Sequence, residues 1–585
     1  MQNPWKLVSG CEADLIPRLL HRIATRWGWL PVTILVILPH FTTFGVDVAS
    51  RPNILVILTD DQGYGDLGIH GNDKIKTPHL DRFAREGVRM TRFYSNPVCS
   101  PTRASIMTGR YYYRTGVIHT SRGGAKMHGD EVTIAEHLAS AGYKTGIFGK
   151  WHLGDNYPMR PQDQGFQEVL VHTSGGIEQP PDEQNSYFDP ELWHNGRKVK
   201  SQAYCTDVFF DAALKFIEAH HETPFFVYLP TNAPHTPLEV SPKYSDPYKA
   251  LGLDDTTAKV YGMVQNIDEN VGRLLARLDE LKLRENTLVI FLTDNGPQQQ
   301  RYTGGLRGRK SFTYEGGIRV PCFVQWPARL EGGRTIDRIA AHIDFLPTLL
   351  AACDVQPLPS PKIDGVDLMP LLTDNAAAWP ERTLYFQCHR GLSPQRYQNC
   401  AAVTQRYKLV GYPGTFNQES VPASGEPMLE LYDLQADPGE QRDLAAENPS
   451  VLAELRRGYD AWYDSVRAAR DFTPGMIHIG NERENPVRLC LYQDATFVDG
   501  KPHGWSIAIE RPGRYRVTLL NEPASGGTIH VNWLRQPLTQ RINAGEKSAA
   551  FDLPAGSGTL EVTFAAAGQP AKDTLGDVTV EGPLP

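Results

Sequence analysis

Four apolar runs constrain this chain more than any other feature. They are Asn53-Ile-Leu-Val-Ile-Leu-Thr59, Thr145-Gly-Ile-Phe148, Phe225-Phe-Val-Tyr-Leu229 and Thr287-Leu-Val-Ile-Phe-Leu-Thr293, each β-branched, aliphatic or aromatic without polar alternation. A strand of that kind has both faces in the interior, the condition of a mostly parallel sheet covered by helices. Amphipathic segments lie between the runs, among them Thr133 to Ala141 and Val264 to Leu283, with apolar residues at helical spacing. Such alternation predicts an α/β fold whose mostly parallel central sheet is flanked by helices.

At 585 residues the chain exceeds what a single core serves, so smaller domains are expected beside the first. The α/β pattern occupies residues 51–378. Residues 379–478 read as a smaller α+β subdomain, with strand-like Thr383 to Phe386, Tyr407 to Val410 and Leu429 to Leu434, then a helix from Ser450 to Val466. Residues 486–585 change texture, to period-two alternation and Gly/Pro turns, as in Trp505 to Ile509, Arg514 to Leu519 and Thr559 to Phe564. That predicts a terminal β-sandwich. Two readings of the sandwich stay open: a glycan-binding module stacking sugars on Trp505, Tyr515 and Trp533, or a packing domain with those aromatics as core.

The amino terminus carries Lys6, Arg18, Arg22 and Arg26, then the apolar run Trp29 to Leu38, then Val48-Ala49-Ser50. This reads as a signal peptide over residues 1–50, cleaved near Ala49 or Ser50, and predicts a secreted or periplasmic protein. The run is shorter than the roughly 20 residues that span hydrocarbon and is bracketed by Pro31 and Pro39, so stable membrane insertion is not expected. A formal net charge of −8 argues against nucleic acid as partner. Eight cysteines without a CxxC pair are neither a disulfide scaffold nor a zinc module, although Cys388 and Cys400 are candidates to pair.

Each of the four strands is followed within a few residues by polar groups: Asp60-Asp61, Lys150 and His152, His235, and Asp294-Asn295. In an open α/β sheet, ligands bind outside the carboxyl ends of the strands. Asp60, Asp61, Asp294 and Asn295 form an oxygen-only donor set, which suits calcium or magnesium over zinc. Singly, each pair is an ordinary turn or loop; together, at two strand ends of one sheet, they favour a metal site.

The sharpest local signal is Asn96-Pro-Val-Cys-Ser-Pro-Thr-Arg-Ala-Ser-Ile-Met-Thr-Gly-Arg110. Pro101 suits a first helical turn and Gly109 a stop, which puts Cys99 at a helix amino terminus, where backbone amides favour an anion, and Arg103 one turn along. The bland alternative is a buried structural cysteine beside a helix start. Lys310 sits in the basic, glycine-flanked stretch Leu306 to Gly317, which reads equally as a solvated loop.

These residues resemble the sulfatases of the alkaline phosphatase superfamily, from Arg51 to about Val466. Cys99-Ser-Pro-Thr-Arg103 is similar to the Cys-x-Pro-Ser-Arg signature in which cysteine becomes formylglycine (3-oxoalanine). Leu58-Thr-Asp-Asp-Gln-Gly-Tyr-Gly-Asp-Leu-Gly68 and Thr293-Asp-Asn-Gly296 resemble the family's metal segments. Gly149-Lys-Trp-His-Leu-Gly154, Asn232-Ala-Pro-His-Thr-Pro237 and Thr313-Tyr-Glu-Gly-Gly317 with Lys310 before it match further.

The resemblance implies an alkaline-phosphatase-like fold and hydrolysis of sulfate esters, of sulfated carbohydrates or aryl alcohols, with release of sulfate. It implies one calcium ion on Asp60, Asp61, Asp294, Asn295 and modified Cys99, with Arg103 and Lys150 holding the formylglycine hydrate. His152 would move its protons, and His235 and Lys310 would engage the sulfate and leaving oxygen. A formylglycine-generating maturation enzyme is the implied partner. Thr102 departs from the usual serine but keeps the hydroxyl. A phosphodiesterase or phosphonate monoester hydrolase of the same superfamily is the alternative activity. A non-catalytic glycan binder would not require Lys150, His152 and Lys310. Substrate choice is expected to reside in loops such as Val171 to Lys200.

Overall fold

The computed structural model describes residues 51–585 except 375–377, 392, 413–424, 499, 521–525, 569–575 and 585. The leader read over residues 1–50 lies outside the described residues.

Asn53–Thr59 lies inside the parallel part of a ten-stranded sheet. Thr287–Thr293 lies parallel to it on one side and Phe225–Pro230 on the other, followed by Lys144–Lys150 and Glu168–His172, all parallel. Antiparallel pairing appears only toward the edges, through Cys322–Gln325 on one side and Glu191–His194 with Arg197–Lys200 on the other. The mostly parallel centre is thus the architecture the apolar runs predict. The stretch Val171 to Lys200, expected as loop, contains the last two strands; their short, exposed sequences gave no apolar run to read.

Strand pleating sorts the apolar residues between two cores. Ile54, Val56, Leu58, Leu288, Ile290 and Leu292 join one buried cluster, while Leu55, Ile57, Val289 and Phe291 join the other. The second cluster is closed by helices Cys205–Ala219 and Asp255–Glu280, through Phe209, Phe210, Met263, Ile267 and Val271. Each fully buried side chain of this size contributes about 1.5–3 kcal/mol. The long helix begins earlier than its apolar spacing suggested because the Asp254 side chain accepts a hydrogen bond from Thr257 N at 3.0 Å and caps it.

A four-stranded antiparallel sheet follows, Leu384–Gln387, Cys400–Val403, Tyr407–Gly411 and Leu429–Asp433. Helix Pro449–Arg470 packs Tyr459, Trp462, Tyr463 and Val466 into the same core. Lys408, fully buried, ties this sheet to the short helix Glu315–Ile318 by bonding Glu315 at 3.1 Å, and it bonds Glu440 at 2.9 Å.

The strands from Ile477 to Glu581 form two further sheets around one core. Trp505, Tyr515 and Trp533 all lie inside that core, with Trp505 Nε1 donating to Cys490 O at 3.1 Å and Trp533 Nε1 to Pro554 O at 2.9 Å. This corrects the stacking-platform reading: none of the three presents a ring face to solvent. Cys388 and Cys400 do not pair; both are buried free thiols, as are the other described cysteines.

The sandwich meets loops of the α/β region through polar contacts. Tyr157 N donates to Glu484 at 2.6 Å, Asn156 Nδ2 to Arg488 O at 2.8 Å, and the buried Lys126 Nζ to Asp494 O at 2.9 Å. Burial and the neighbouring Asp494 push Asp155 up to about 7; burial pushes Glu484 to about 7 and Asp494 to about 6. A carboxyl raised above its unfolded value stabilises the fold while protonated, and that contribution is lost as pH rises through the folded value. Between about pH 5 and about pH 8 these carboxyls lower stability as pH rises, against the opposite trend of the buried histidines, so the midpoint of Asp155→Asn relative to wild type is expected to climb across that range. Calorimetry of both proteins across this range checks it; a difference in midpoint that stays constant or shrinks as pH rises would refute it.

Candidate active site

The site is assembled at the carboxyl ends of the parallel strands. Thr59 and Thr293 are partners in the ladder, so the turns that follow, Asp60-Asp61 and Asp294-Asn295, leave the sheet side by side. The ladder continues one step further: Asp294 N donates to Thr59 O at 3.0 Å and Thr231 N to Leu58 O at 2.8 Å. Cys99 is the first residue of helix Cys99–Thr108, which no side chain caps and whose residues are all buried. Gly109 ends it with φ +65°, a conformation glycine adopts without a Cβ clash.

The structure gathers every candidate residue at one rim, a charged network with the Cys99–His152 pair beside it. Arg103 Nη2 bonds Asp294 at 2.8 Å and approaches Asp60 at 3.4 Å, while Arg103 Nη1 donates to Lys150 O at 2.7 Å. The Lys150 ammonium bonds Asp60 directly. Lys310 Nζ, taken in sequence as equally a surface group, lies 2.7 Å from Asp61. His235 Nε2 is 3.8 Å from the same carboxylate, and Asn295 Nδ2 donates to it at 2.8 Å. His152 Nδ1 stands 3.4 Å from Cys99 Sγ. Asp61 and His152 hold positive φ, +64° and +62°, a backbone strain that clusters at sites where surrounding contacts over-determine the geometry.

Burial opposes ionisation of Asp60, but Lys150, His235, Arg103 and Lys310 outweigh it and hold the carboxyl below its ordinary range. Burial, with the Asp60 charge beside it, pushes Asp294 up to about 7. Burial disfavours the charge on Lys310, yet Asp61 keeps it well above the usual lysine range. Burial raises the Cys99 thiol, and burial with the Lys150 charge holds His152 far below the usual imidazole range. His152 is therefore neutral, and its tautomer is fixed: Nε2–H donates to Thr120 O at 2.8 Å, leaving the lone pair of Nδ1 toward Cys99.

A cation fits this donor set. Asp60, Cys99 and Asp294 offer atoms within 4.8 Å of one another, as do Asp60, Asp61 and His235. Asp60 Oδ1 and Asn295 Oδ1 are buried without a hydrogen-bond partner, the condition of ligand atoms awaiting an ion.

Several supporting residues carried no sequence signal of their own. Arg301, buried, grips Asp66 at 2.6 Å and donates to Asp61 O at 2.9 Å, fixing the Asp60-Asp61 turn. Tyr187 OH donates to His235 O at 2.8 Å; Thr102 Oγ1, the hydroxyl within the signature, likewise donates to Asp294 O at 2.8 Å. Thr120 acts through its carbonyl, which any residue type would supply.

Residues 52–355 match the family description "Sulfatase", and residues 308–458 match "N-sulphoglucosamine sulphohydrolase, C-terminal". Arylsulfatase A of Homo sapiens is 33% identical over 77% of this chain and 95% of its own length. N-acetylgalactosamine-6-sulfatase of Canis lupus familiaris is 33% identical over 60% of this chain and 71% of its own. The solved structure of Ps i-CgsB in complex with k-i-k-neocarrahexaose superposes with a TM-score of 0.62 at 28% identity, covering 70% of this chain and 92% of that one. A family match over more than half the chain, joined to relatives matched over most of its length, places this protein in the sulfatase family, the hydrolases of sulfuric esters.

Proposed function

We propose that the protein is a secreted or periplasmic sulfatase that removes sulfate from sulfated carbohydrates, with Cys99 converted to formylglycine and one calcium ion on Asp60, Asp61, Asp294, Asn295 and residue 99. The observation that carries this reading is Cys99 at an uncapped helix amino terminus, 3.4 Å from the neutral His152 and beside Asp60 and Asp294, which Lys150 and Arg103 bond. The carbohydrate class is supported by Ps i-CgsB, solved with k-i-k-neocarrahexaose, and by N-acetylgalactosamine-6-sulfatase. Export is supported by the basic and apolar leader, and a formylglycine-generating enzyme is the partner required for maturation. Among the described residues no helix is long and apolar enough to cross a membrane.

Charge balance explains how the site takes an anion. Asp60, Asp61 and Asp294 are matched by Arg103, Lys150 and Lys310, so a divalent ion leaves a positive surplus for a sulfate ester. When present, calcium supplies a Lewis-acidic charge for a sulfuryl oxygen, and formylglycine supplies two hydroxyls on one carbon, a nucleophile for sulfur and a route for sulfate release. His152 Nδ1 accepts the proton from the substituent on residue 99, for which its lone pair is oriented. Lys310, charged, donates toward the leaving oxygen, and His235 beside it binds the sulfate. The helix amides and Arg103 stabilise charge developing on the sulfuryl group.

Peptide mass spectrometry of protein produced with a maturation enzyme tests the reading. The expected result is formylglycine at position 99 in proportion to desulfating activity on sulfated glycans. Full activity in protein carrying only unmodified cysteine would overturn it.

A further inference from the structure

The geometry assigns Gln493, on the leading edge of the C-terminal sandwich and beyond both family-matched regions, as a positioning residue for the two site histidines. Gln493 is buried and spends two oxygens on two loops of the catalytic core. Its backbone carbonyl accepts from Gly123 N at 2.9 Å, with Tyr492 O accepting from Arg122 N at 2.9 Å beside it. These bonds hold the tight turn Ser121 to Gly124, closed by Gly124 N on Ser121 O at 2.9 Å. Thr120, immediately before that turn, supplies the carbonyl that fixes the His152 tautomer. Gly123 has φ +77°, and a Cβ there would meet Asp494 O and Ala495 O at 3.2 Å, so the sandwich edge lies tight against the turn.

Gln493 Oε1 serves the second loop. It accepts from Ser174 Oγ at 3.2 Å, while Ser174 N donates to Asp155 at 2.7 Å. Ser174 is fully buried at φ +62°, a conformation that costs a non-glycine residue on the order of 1 kcal/mol or more and persists because these partners impose it. The next two residues are the wall of the site. A Cβ on Gly175 would lie 2.7 Å from His152 Cε1, and one on Gly176 would lie 3.1 Å from His235 Nδ1 and Cε1. The loop thus presses bare backbone against both imidazole rings, and its placement depends on Ser174 and Gln493. The sandwich is a structural part of the active site, and the Gln493 side chain is its contact with the Ser174 loop.

This inference rests on the catalytic reading of His152 and His235. Its test uses the full chain and a small aryl sulfate, whose binding involves little of the outer pocket. Gln493→Met keeps length and burial but removes the acceptor; Ser174→Ala removes the donor on the same bond. Each is expected to lower kcat about tenfold with KM within twofold, at unchanged formylglycine content and calcium affinity, because misplaced catalytic groups cost rate more than binding. The double variant is expected to lose no more than the worse single one, since both break one interaction. Singles that keep kcat within twofold, or losses that multiply in the double variant, would overturn the assignment while leaving the sulfatase reading intact. Wild-type protein, fully modified and calcium-loaded, that turns over no sulfate ester would overturn that reading and this inference with it.

Discussion

Replacing Cys99 by serine is expected to give a protein that releases at most one equivalent of alcohol per chain and then stops, with multiple turnover reduced about a thousandfold or more. Serine keeps one oxygen at the helix amino terminus, within the network of Arg103, Lys150 and Asp60, and opposite the His152 Nδ1 lone pair. The serine oxygen attacks sulfur, its proton passes to His152, and the alcohol departs with a proton from Lys310. What serine lacks is a second hydroxyl on the same carbon, so the new sulfate ester has no internal route to release. Mass spectrometry of the peptide containing position 99 is expected to show the mass of a sulfated serine after incubation with substrate. Sustained turnover by this variant, free of contaminating enzyme, would refute the two-hydroxyl mechanism for this protein.

Asp294→Ala is expected to lower turnover about a hundredfold or more and to abolish the stabilisation that calcium confers. In wild-type protein, calcium at a hundred times its dissociation constant is expected to add about 2.7 kcal/mol to stability by mass action. The variant removes a carboxylate from the cluster with Asp60 and Cys99, and with it the 2.8 Å partner of Arg103. Without metal, its stability is expected to stay near wild type, because the loss of that partner is offset by relief of the Asp60–Asp294 repulsion that raises Asp294. Thermal unfolding of both proteins, chelated and then titrated with calcium, separates the two contributions. An equal calcium-induced shift in wild type and variant would remove Asp294 from the ligand set.

The parts legible in sequence share one property: their signal is local. An unbroken apolar run such as Thr287–Thr293 reports that both of its faces are buried, and the residues after it lie at the sheet's carboxyl rim by topology alone. Pro101 and Gly109 likewise bracket the Cys99 helix without help from the rest of the chain. What escaped was non-local. The supporting bonds from Arg301, Tyr187 and Gln493 cross 240, 48 and 319 residues of sequence to reach Asp61, His235 and Ser174. The Thr120 carbonyl has no side-chain identity to read. Trp505 and Trp533 were ambiguous for a different reason, since an aromatic on an alternating strand suits a core and a sugar platform equally until burial decides.

The pairing of Thr59 with Thr293 fixes more than the direction in which two turns leave the sheet. Neighbouring strands stand about 4.8 Å apart wherever a backbone ladder forms, whatever side chains they carry. The interval between the carboxylates of the first turn and the carboxylate of Asp294 in the last is therefore gauged by peptide hydrogen bonds, outside the reach of ordinary substitution. The outer parts of the excursions between these strands, such as the edge hairpin Glu191 to Lys200, can be lengthened, shortened or rewritten while that gauge stays constant. A lineage built on this frame is free to change what it recognises without renegotiating how it reacts.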